Sequence, residues 1–139
     1  MMIRIRKLQE TEVAKAARLI KTTLLKTNAQ YYPKKVIKNL ITDYSAKNLK
    51  NKMKTRTFFV ATKTNQIVGV IALTSDGWIG AMFVHPQYQE QGIGSKLVKK
   101  VISTAKLQGL DVIRSNISLN SVGFYKKLGF KLIKNCCVA

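Results

Sequence analysis

The spacing of apolar residues changes along the first third of the chain, and each change predicts a new element. Apolar and charged residues alternate over residues 3–8, which predicts a half-buried strand. The spacing becomes helical from about Thr11. One face of this first helix carries Val13, Ala17, Ile20 and Leu24. Pro33 can open a second helix, because its fixed φ suits a first turn. The predicted apolar stripe of that helix is Val36, Ile37, Leu40, Ile41 and Tyr44, and a short helical turn over residues 45–53 follows.

The middle of the chain predicts strands, and the remainder alternates between helix and strand. Runs rich in β-branched and aromatic residues occupy residues 57–63, 67–74 and 78–85. Short polar turns join these runs, so we expect antiparallel neighbours. Helical spacing returns over residues 92–108, with Ile93, Leu97, Val101 and Ala105 facing inward. The last predicted elements are a strand at 111–118, a helix at 121–128 and a strand at 130–136.

This order of elements predicts an α+β fold in three layers, α/β/α, with antiparallel hairpins and one strand–helix–strand crossover. The length of 139 residues suits a single domain over residues 1–139. The longest apolar run, residues 67–73, falls far short of the roughly 20 residues that span a bilayer. Residues 1–7 carry charges where a signal peptide needs an apolar stretch. We therefore expect a soluble, cytoplasmic protein that does not enter a membrane.

Charge is the most unusual property of the sequence. It has 25 Lys and Arg residues against 6 Asp and Glu, a formal net charge of +19. Such a field favours anionic partners, although a lysine-rich composition is equally the background habit of some proteomes. The two cysteines, Cys136 and Cys137, are adjacent and cannot cross-link distant segments. With one histidine, His85, and two thiols, we expect no metal site.

The segment over residues 84–97, VHPQYQEQGIGSKL, has features of a phosphate site. Pro86 ends the preceding strand, and a polar loop leads into a helix that opens with Gly92 and Gly94. The first amides of a helix have no internal acceptor and lie at the positive end of its dipole, so a phosphate can bind there. Glycines also open many helices that bind nothing. The segment is no P-loop, and Leu97 stands where a dinucleotide fingerprint needs its third glycine.

Two motifs resemble the GNAT N-acetyltransferase superfamily. Gln89, Gly92 and Gly94 meet that family's acetyl-coenzyme A signature, Gln/Arg-x-x-Gly-x-Gly/Ala. Residues 118–130, SLNSVGFYKKLGF, are similar to its last helix, and one helix and one strand separate the motifs as the family requires. The resemblance implies the GNAT acyl-CoA N-acyltransferase fold, with a central mixed, mostly antiparallel sheet, a splayed parallel strand pair and flanking helices.

The resemblance also implies a cosubstrate, acetyl-CoA, and an amine acceptor that attacks the acetyl carbonyl directly. The backbone of Phe83 and Val84 would pair with the pantetheine arm, and an amide near Val84 would polarise the thioester oxygen. The diphosphate would lie on the amides of Gln89, Glu90, Gln91, Gly92, Ile93, Gly94 and Ser95. Further cofactor contacts would come from Asn116, Asn120, Phe124 and Lys127. Asn120 is equally explained as a helix N-cap, and Lys127 as a solvated surface lysine.

Tyr125 is the catalytic residue that the resemblance implies, as proton donor to the departing thiolate. A phenol has an ordinary pKa of about 10 against about 8.5 for a thiol, so it holds a proton at neutral pH. The alternative is that its ring simply packs beside Phe124. Many family members place a glutamate base on the strand that is residues 78–84 here, and this strand has no carboxylate. His85 is better explained by a capping or surface role, so we expect a water-mediated base or an acceptor that arrives neutral.

The acceptor side would be a cationic region in which Asp43 is the single acid. Its basic residues are Lys34, Lys35, Lys38, Lys47, Lys50, Lys52, Lys54 and Arg56, and Tyr31, Tyr32 and Trp78 would add apolar walls. This region would repel polyamines and favour an amine on an acidic or phosphorylated molecule, or on a protein attached to nucleic acid. The rival hypotheses are a basic nucleic-acid-associated module that binds nonspecifically, and a CoA-binding module without catalysis. A homodimer through edge strands stays open.

Overall fold

One mixed sheet runs through the molecule. The computed structural model describes residues 2–115 and 122–130. The strands lie in chain order: β1 (Arg4–Lys7), β2 (Arg56–Lys63), β3 (Gln66–Thr74), β4 (Trp78–Val84) and β5 (Arg114–Ser115). The first four are antiparallel neighbours, whereas β5 pairs parallel to β4. This arrangement confirms the predicted hairpins and the predicted crossover.

Helices cover both faces of the sheet. They are α1 (Val13–Lys26), α2 (Lys34–Asp43), α3 (Ala46–Lys52), α4 (Ile93–Leu107) and α5 (Val122–Lys127). Helices α1 to α3 pack on one face, where Phe58 and Val60 of β2 point, and α4 and α5 pack on the other, where Phe59 and Ala61 point. Successive strand residues alternate between faces, so a sheet covered on both sides needs continuous apolar strands. The predicted three layers are therefore confirmed.

Most predicted stripes match the buried faces, with one error in α2. The predicted inward residues of α4 are all buried. In α2, Ile37 is buried and Leu40 is partly buried, whereas Val36 is 39% exposed. The prediction for Val36 is wrong because the helix is only lightly covered, so that its buried stripe is too narrow to include this position.

The last part of the chain tests the predictions only in part. The strand predicted at 111–118 is paired at Arg114–Ser115, and residues 116–118 lie outside the described residues. The helix predicted at 121–128 is α5. Phe130 does not lie in a strand, and residues 131–136 of the last predicted strand lie outside the described residues. Within residues 2–115 and 122–130, no helix combines the length and the apolar character needed to cross a membrane.

Helix α4 lies unusually close to the sheet at Gly69 of β3. A Cβ added at Gly69 would stand 3.0 Å from Leu97 Cδ1 and 3.1 Å from Ile93 Cγ2. Contacts this short mean that the first turns of α4 rest directly on the glycine backbone. The N-terminus of α4 is thereby fixed relative to β3 and β4.

Candidate active site

Among the described residues, which stop at Ser115 on this side, strands β4 and β5 pair at two positions near the start of β4. The pairs are Trp78 with Arg114 and Ile79 with Ser115. Among the described residues, no strand pairs with the rest of β4, Gly80–Val84, on that side. We call the edge of β4 over Gly80–Val84 that faces away from β3, next to Ser115, the β4–β5 opening. The parallel β4–β5 pair is confirmed, whereas the splay that the GNAT resemblance implies depends on residues 116–118, which lie outside the described residues, and it stays a prediction.

A β-bulge at Gly80 decides which backbone groups of β4 face the opening. Ala81 pairs with Ala72 and Ile79 with Leu73, so Gly80 is the extra residue. Beyond the bulge, the His85 amide donates to the Val68 carbonyl at 2.9 Å. Because antiparallel residues bond to a given neighbour alternately, Ala81 and Phe83 bond to β3, and the backbone N–H groups of Met82 and Val84 are directed at the opening.

This register corrects one predicted cofactor contact and adds another. The Phe83 backbone pairs with Val70 of β3, so it is not available to a ligand in the opening. Val84 remains suitable, although its carbonyl already accepts from Gln89 Nε2 at 3.2 Å. The amide that faces outward next to Val84 is that of Met82, which the sequence analysis missed. A glycine inside a predicted strand, Gly80, is the signal that could have revealed the bulge.

The loop after β4 presents free amides to solvent. Glu90 and Gly92 both have positive φ, 63° and 80°, and together they turn the chain into α4. The Lys96 amide donates to the Gly92 carbonyl at 3.1 Å, so the amides of Ile93, Gly94 and Ser95 precede the helical hydrogen bonds. A Cβ at Gly92 would meet no atom within 4 Å, so space is open above this turn. The dipole of the fifteen-residue helix makes its N-terminus attractive to an anion.

His85 shapes the start of this loop. Its Nδ1 accepts a hydrogen bond from the Gln87 amide at 3.1 Å, and its ring meets the Tyr88 ring edge to face with 5.5 Å between centroids. The capping role favoured by the sequence is therefore confirmed. The side chain of Gln89 also approaches Thr27 Oγ1 at 3.4 Å, which ties the loop to the end of α1.

Tyr125 extends from α5 to the edge of the β4–β5 opening. The side chain is 3% exposed, and its hydroxyl lies 3.9 Å from Met82 Sδ on β4. Burial raises the pKa of this hydroxyl, and a hydrogen bond with Ser115 on β5 partly opposes that shift. The phenol therefore lies between the two strands and keeps its proton at neutral pH. Its ring packs edge to face on Phe130, with centroids 5.2 Å apart.

The other predicted site residues divide into described and undescribed ones. Lys127 is exposed on α5, and Gln89, Glu90, Gln91 and Gly92 are exposed in the loop. Asn116, Asn120 and the side chain of Phe124 lie outside the described residues, so the alternative packing of Tyr125 on Phe124 stays a prediction. No carboxylate lies on β4. In the part of the chain that the structure describes, no three His, Cys, Asp or Glu residues are grouped to hold a metal ion.

Comparison with known proteins identifies the family to which this arrangement of strands and helices belongs. Residues 26–139 match the family described as an acetyltransferase (GNAT) domain. The chain belongs to the GNAT family. This membership confirms the resemblance that the two sequence motifs carried, and the mixed sheet with its parallel β4–β5 pair is the fold of that family.

Several relatives are similar to this GNAT chain. The peptidyl-lysine N-acetyltransferase YjaB of Salmonella typhimurium is 37% identical over 71 residues, which cover 51% of this chain and 47% of that protein. The chain thus spans about half the length of the curated relatives it matches. The PaiA N-acetyltransferase of Thermoplasma acidophilum, solved in complex with coenzyme A, is 26% identical with a TM-score of 0.85, covering 94% of this chain and 91% of that one. An acetyltransferase of Clostridium acetobutylicum shares the fold at 19% identity, with a TM-score of 0.75 and coverage of 99% and 96%.

Proposed function

We propose that this GNAT protein is an N-acetyltransferase that uses acetyl-CoA and acetylates a primary amine directly. The observation that carries the proposal is the Tyr125 hydroxyl, which lies beside Met82 of β4 and Ser115 of β5 at the edge of the β4–β5 opening. A proton donor at that point stands next to the place where a thioester arm would enter the sheet edge. The relatives named N-acetyltransferases support the same reaction.

The residues fit an acetyl-CoA molecule at both of its polar parts. The amides of Ile93, Gly94 and Ser95, together with the turn at Gly92, would hold the diphosphate, because they are unbonded donors at a positive helix end. The amide of Val84 would hold the pantetheine arm in the manner of an added strand. When bound, the cosubstrate supplies an activated acetyl group as a thioester.

The chain's own residues would act on that group in two ways. The outward amide of Met82, whose side-chain sulfur lies beside the Tyr125 hydroxyl, would donate a hydrogen bond to the carbonyl oxygen as negative charge develops on it. The Tyr125 hydroxyl would donate its proton to the departing sulfur. Burial raises the pKa of Tyr125, and the same surroundings would raise the pKa of a thiol released there, which favours its protonation. With no carboxylate on β4, the acceptor amine would lose its proton to water before it attacks.

Two measurements test the proposal. Acetyl-CoA at 100 times its Kd should stabilise the folded protein by about 2.7 kcal/mol, visible as a rise in Tm. Release of free thiol from acetyl-CoA should then depend on an added primary amine, with desulfo-CoA as a non-transferring control ligand. A rise in Tm without release of thiol in any amine screen would favour the rival hypothesis of a CoA-binding module without catalysis. No rise in Tm, with DNA binding that weakens steeply as salt increases, would favour the nucleic-acid-associated module.

A further inference from the structure

We propose that the acceptor amine carries an anionic group that Arg56 binds, an inference that rests on the proposed acetyl transfer. The binding group, here called the Arg56 site, consists of the Arg56 guanidinium, the Tyr44 hydroxyl and the bulged backbone at Gly80. The anion is a carboxylate or a phosphate on the same molecule as the amine. This assigns the acceptor to acidic amines rather than to polyamines.

The two faces of the sheet explain why an acceptor would meet Arg56. Tyr125 reaches the β4–β5 opening from the face covered by α4 and α5. The amine must approach the acetyl carbonyl away from that crowded side, and so from the face covered by α1 to α3. Tyr44 and Phe58, which follows Arg56 by two residues on β2, both belong to the apolar cluster of that second face. The Arg56 site thus borders the opening on the side that Tyr125 leaves clear.

The guanidinium lies directly on the bulge. A Cβ added at Gly80 would stand 3.3 Å from the Nη1 atom of Arg56 and 3.8 Å from its Cδ, so the missing side chain is what admits the arginine. The buried Tyr44 hydroxyl donates to the Gly80 carbonyl at 3.1 Å and also forms a hydrogen bond with Arg56. These contacts orient the guanidinium beside the first residue of the opening.

Arg56 is a half-buried cation that no carboxylate neutralises within the described residues. Its neighbour Lys52 provides the contrast, because Lys52 Nζ pairs with Asp43 at 3.2 Å while it lies over the Tyr44 ring. A guanidinium offers five N–H donors in one plane, and the bond to Tyr44 leaves others for a planar or tetrahedral anion. A carboxylate or phosphate on the acceptor would complete this pairing and fix the amine at the opening.

The test compares matched acceptors that differ only in the anion. One pair is a lysine peptide flanked by glutamate against the same peptide flanked by glutamine. The other is O-phosphoethanolamine against 2-methoxyethylamine, with rates expressed per concentration of unprotonated amine. We expect the wild-type kcat/KM to favour at least one anionic member by roughly 10- to 100-fold, the value of a charge-assisted hydrogen bond. The pair that shows the preference identifies carboxylate or phosphate.

Variants separate the Arg56 site from the general positive field. Arg56→Gln should abolish most of the preference by lowering kcat/KM for the anionic member more than for the neutral one, and Arg56→Lys should restore only part of it, since a lysine cannot form the planar pair. Lys99→Gln removes the same charge from the exposed side of α4 and should leave the preference unchanged. Equal or faster acetylation of the neutral members would overturn the inference. So would a protein that binds acetyl-CoA but acetylates neither pair of acceptors, or a Lys99→Gln variant that loses as much of the preference as Arg56→Gln. Absence of acetyl-CoA binding would instead overturn the proposed function.

Discussion

At the scale of single residues, Tyr125 unites two properties that a buried proton donor requires. Its hydroxyl contacts both strands that border the β4–β5 opening, and burial raises its pKa, so the protonated form persists through the neutral range. A tyrosine that served only to fill the core would also need a partner for its buried hydroxyl, so the contacts alone do not separate the two roles. The polar end of the side chain, rather than the packed ring, is therefore the part to test.

Tyr125→Phe keeps the ring and removes only the hydroxyl. We expect kcat to fall by roughly 10²- to 10⁴-fold because proton donation to the sulfur is lost. The Kd for acetyl-CoA should stay close to that of the wild type. Steady-state thiol release and calorimetric titration measure the two quantities. Tyr88→Phe, the same change beneath Lys63, is the matched control and should turn over normally. An unchanged kcat in Tyr125→Phe would reduce Tyr125 to a packing residue.

Glu12 ties the start of α1 to the edge strand β1. Its carboxylate accepts two hydrogen bonds from Arg6, at 2.8 and 2.6 Å, and one from the Gln9 amide at 3.1 Å. The Arg6 guanidinium lowers the pKa of Glu12 from 4.5 to about 2. A depressed carboxyl pKa means that its stabilising effect is complete above the unfolded-state pKa and disappears as pH falls through the folded-state value.

The lowered pKa of Glu12 predicts how the stability of Glu12→Gln depends on pH. The variant should lose about 1 kcal/mol of unfolding free energy at pH 7, a small value because Arg6 is partly exposed. The difference from the wild type should shrink between pH 4.5 and about 2. Urea unfolding at a series of pH values measures it, with the exposed Glu10→Gln as control. A loss that did not vary with pH would show that the ion pair does not stabilise the fold.

At the scale of elements, the sequence predicts those helices and strands whose apolar residues recur at a regular spacing. Helix α4 follows a clean helical spacing, and the strands from β2 to β4 carry β-branched and aromatic runs, so their positions could be predicted. The phosphate-type turn could also be predicted, because glycine and proline act locally. The register of β4, which decides whether a backbone amide faces β3 or the β4–β5 opening, could not be predicted. A single extra residue at Gly80 exchanges the backbone groups that face the opening, and side-chain patterns do not record which neighbour an amide bonds.

The acceptor side shows the same limit for contacts between distant segments. Sequence reasoning grouped Arg56 with seven lysines as one basic region. Only the folded chain distinguishes Arg56, since Tyr44 is twelve positions earlier and Gly80 lies on another strand. Composition predicted the charge of the surface and could not predict which cation is held in place.

The close packing of α4 on β3 gives a prediction at this scale. Gly69→Ala would bring a methyl group to 3.0 Å from Leu97 and 3.1 Å from Ile93, both buried. We expect a loss of roughly 1–3 kcal/mol in unfolding free energy from overpacking. The displaced first turn of α4 should also weaken acetyl-CoA binding. Thermal unfolding and titration test both effects.

Gly123→Ala supplies the comparison for that experiment. A Cβ at Gly123 meets nothing within 4 Å, and the position lies inside α5. The alanine should leave stability equal or slightly higher, because it has the better helix propensity. Should Gly69→Ala unfold and bind like the wild type, α4 would not depend on contact with β3 for its position.

At the scale of the whole molecule, the sheet divides the proposed reaction between its two faces. The departing sulfur would meet Tyr125 on the face of α4 and α5, and the acceptor would arrive on the face of α1 to α3. The 25 basic residues far outnumber the 6 acidic ones, which gives the net charge of +19, and the ion pairs among the described residues are Arg6 with Glu12 and Lys52 with Asp43. Such a field would attract both a diphosphate and an acidic acceptor, over about 10 Å at moderate salt.

The central claim is that the outward amides of β4 and the first amides of α4 hold one cosubstrate. Amide hydrogen exchange, read by NMR on isotope-labelled protein with and without acetyl-CoA, tests it residue by residue. Protection should rise at Met82, Val84, Ile93, Gly94 and Ser95, and remain unchanged at Ala81 and Phe83, which already bond to β3. Increased protection at Ala81 and Phe83 in place of Met82 and Val84 would contradict the account. Unchanged protection at all of these amides under saturating acetyl-CoA would contradict it as well.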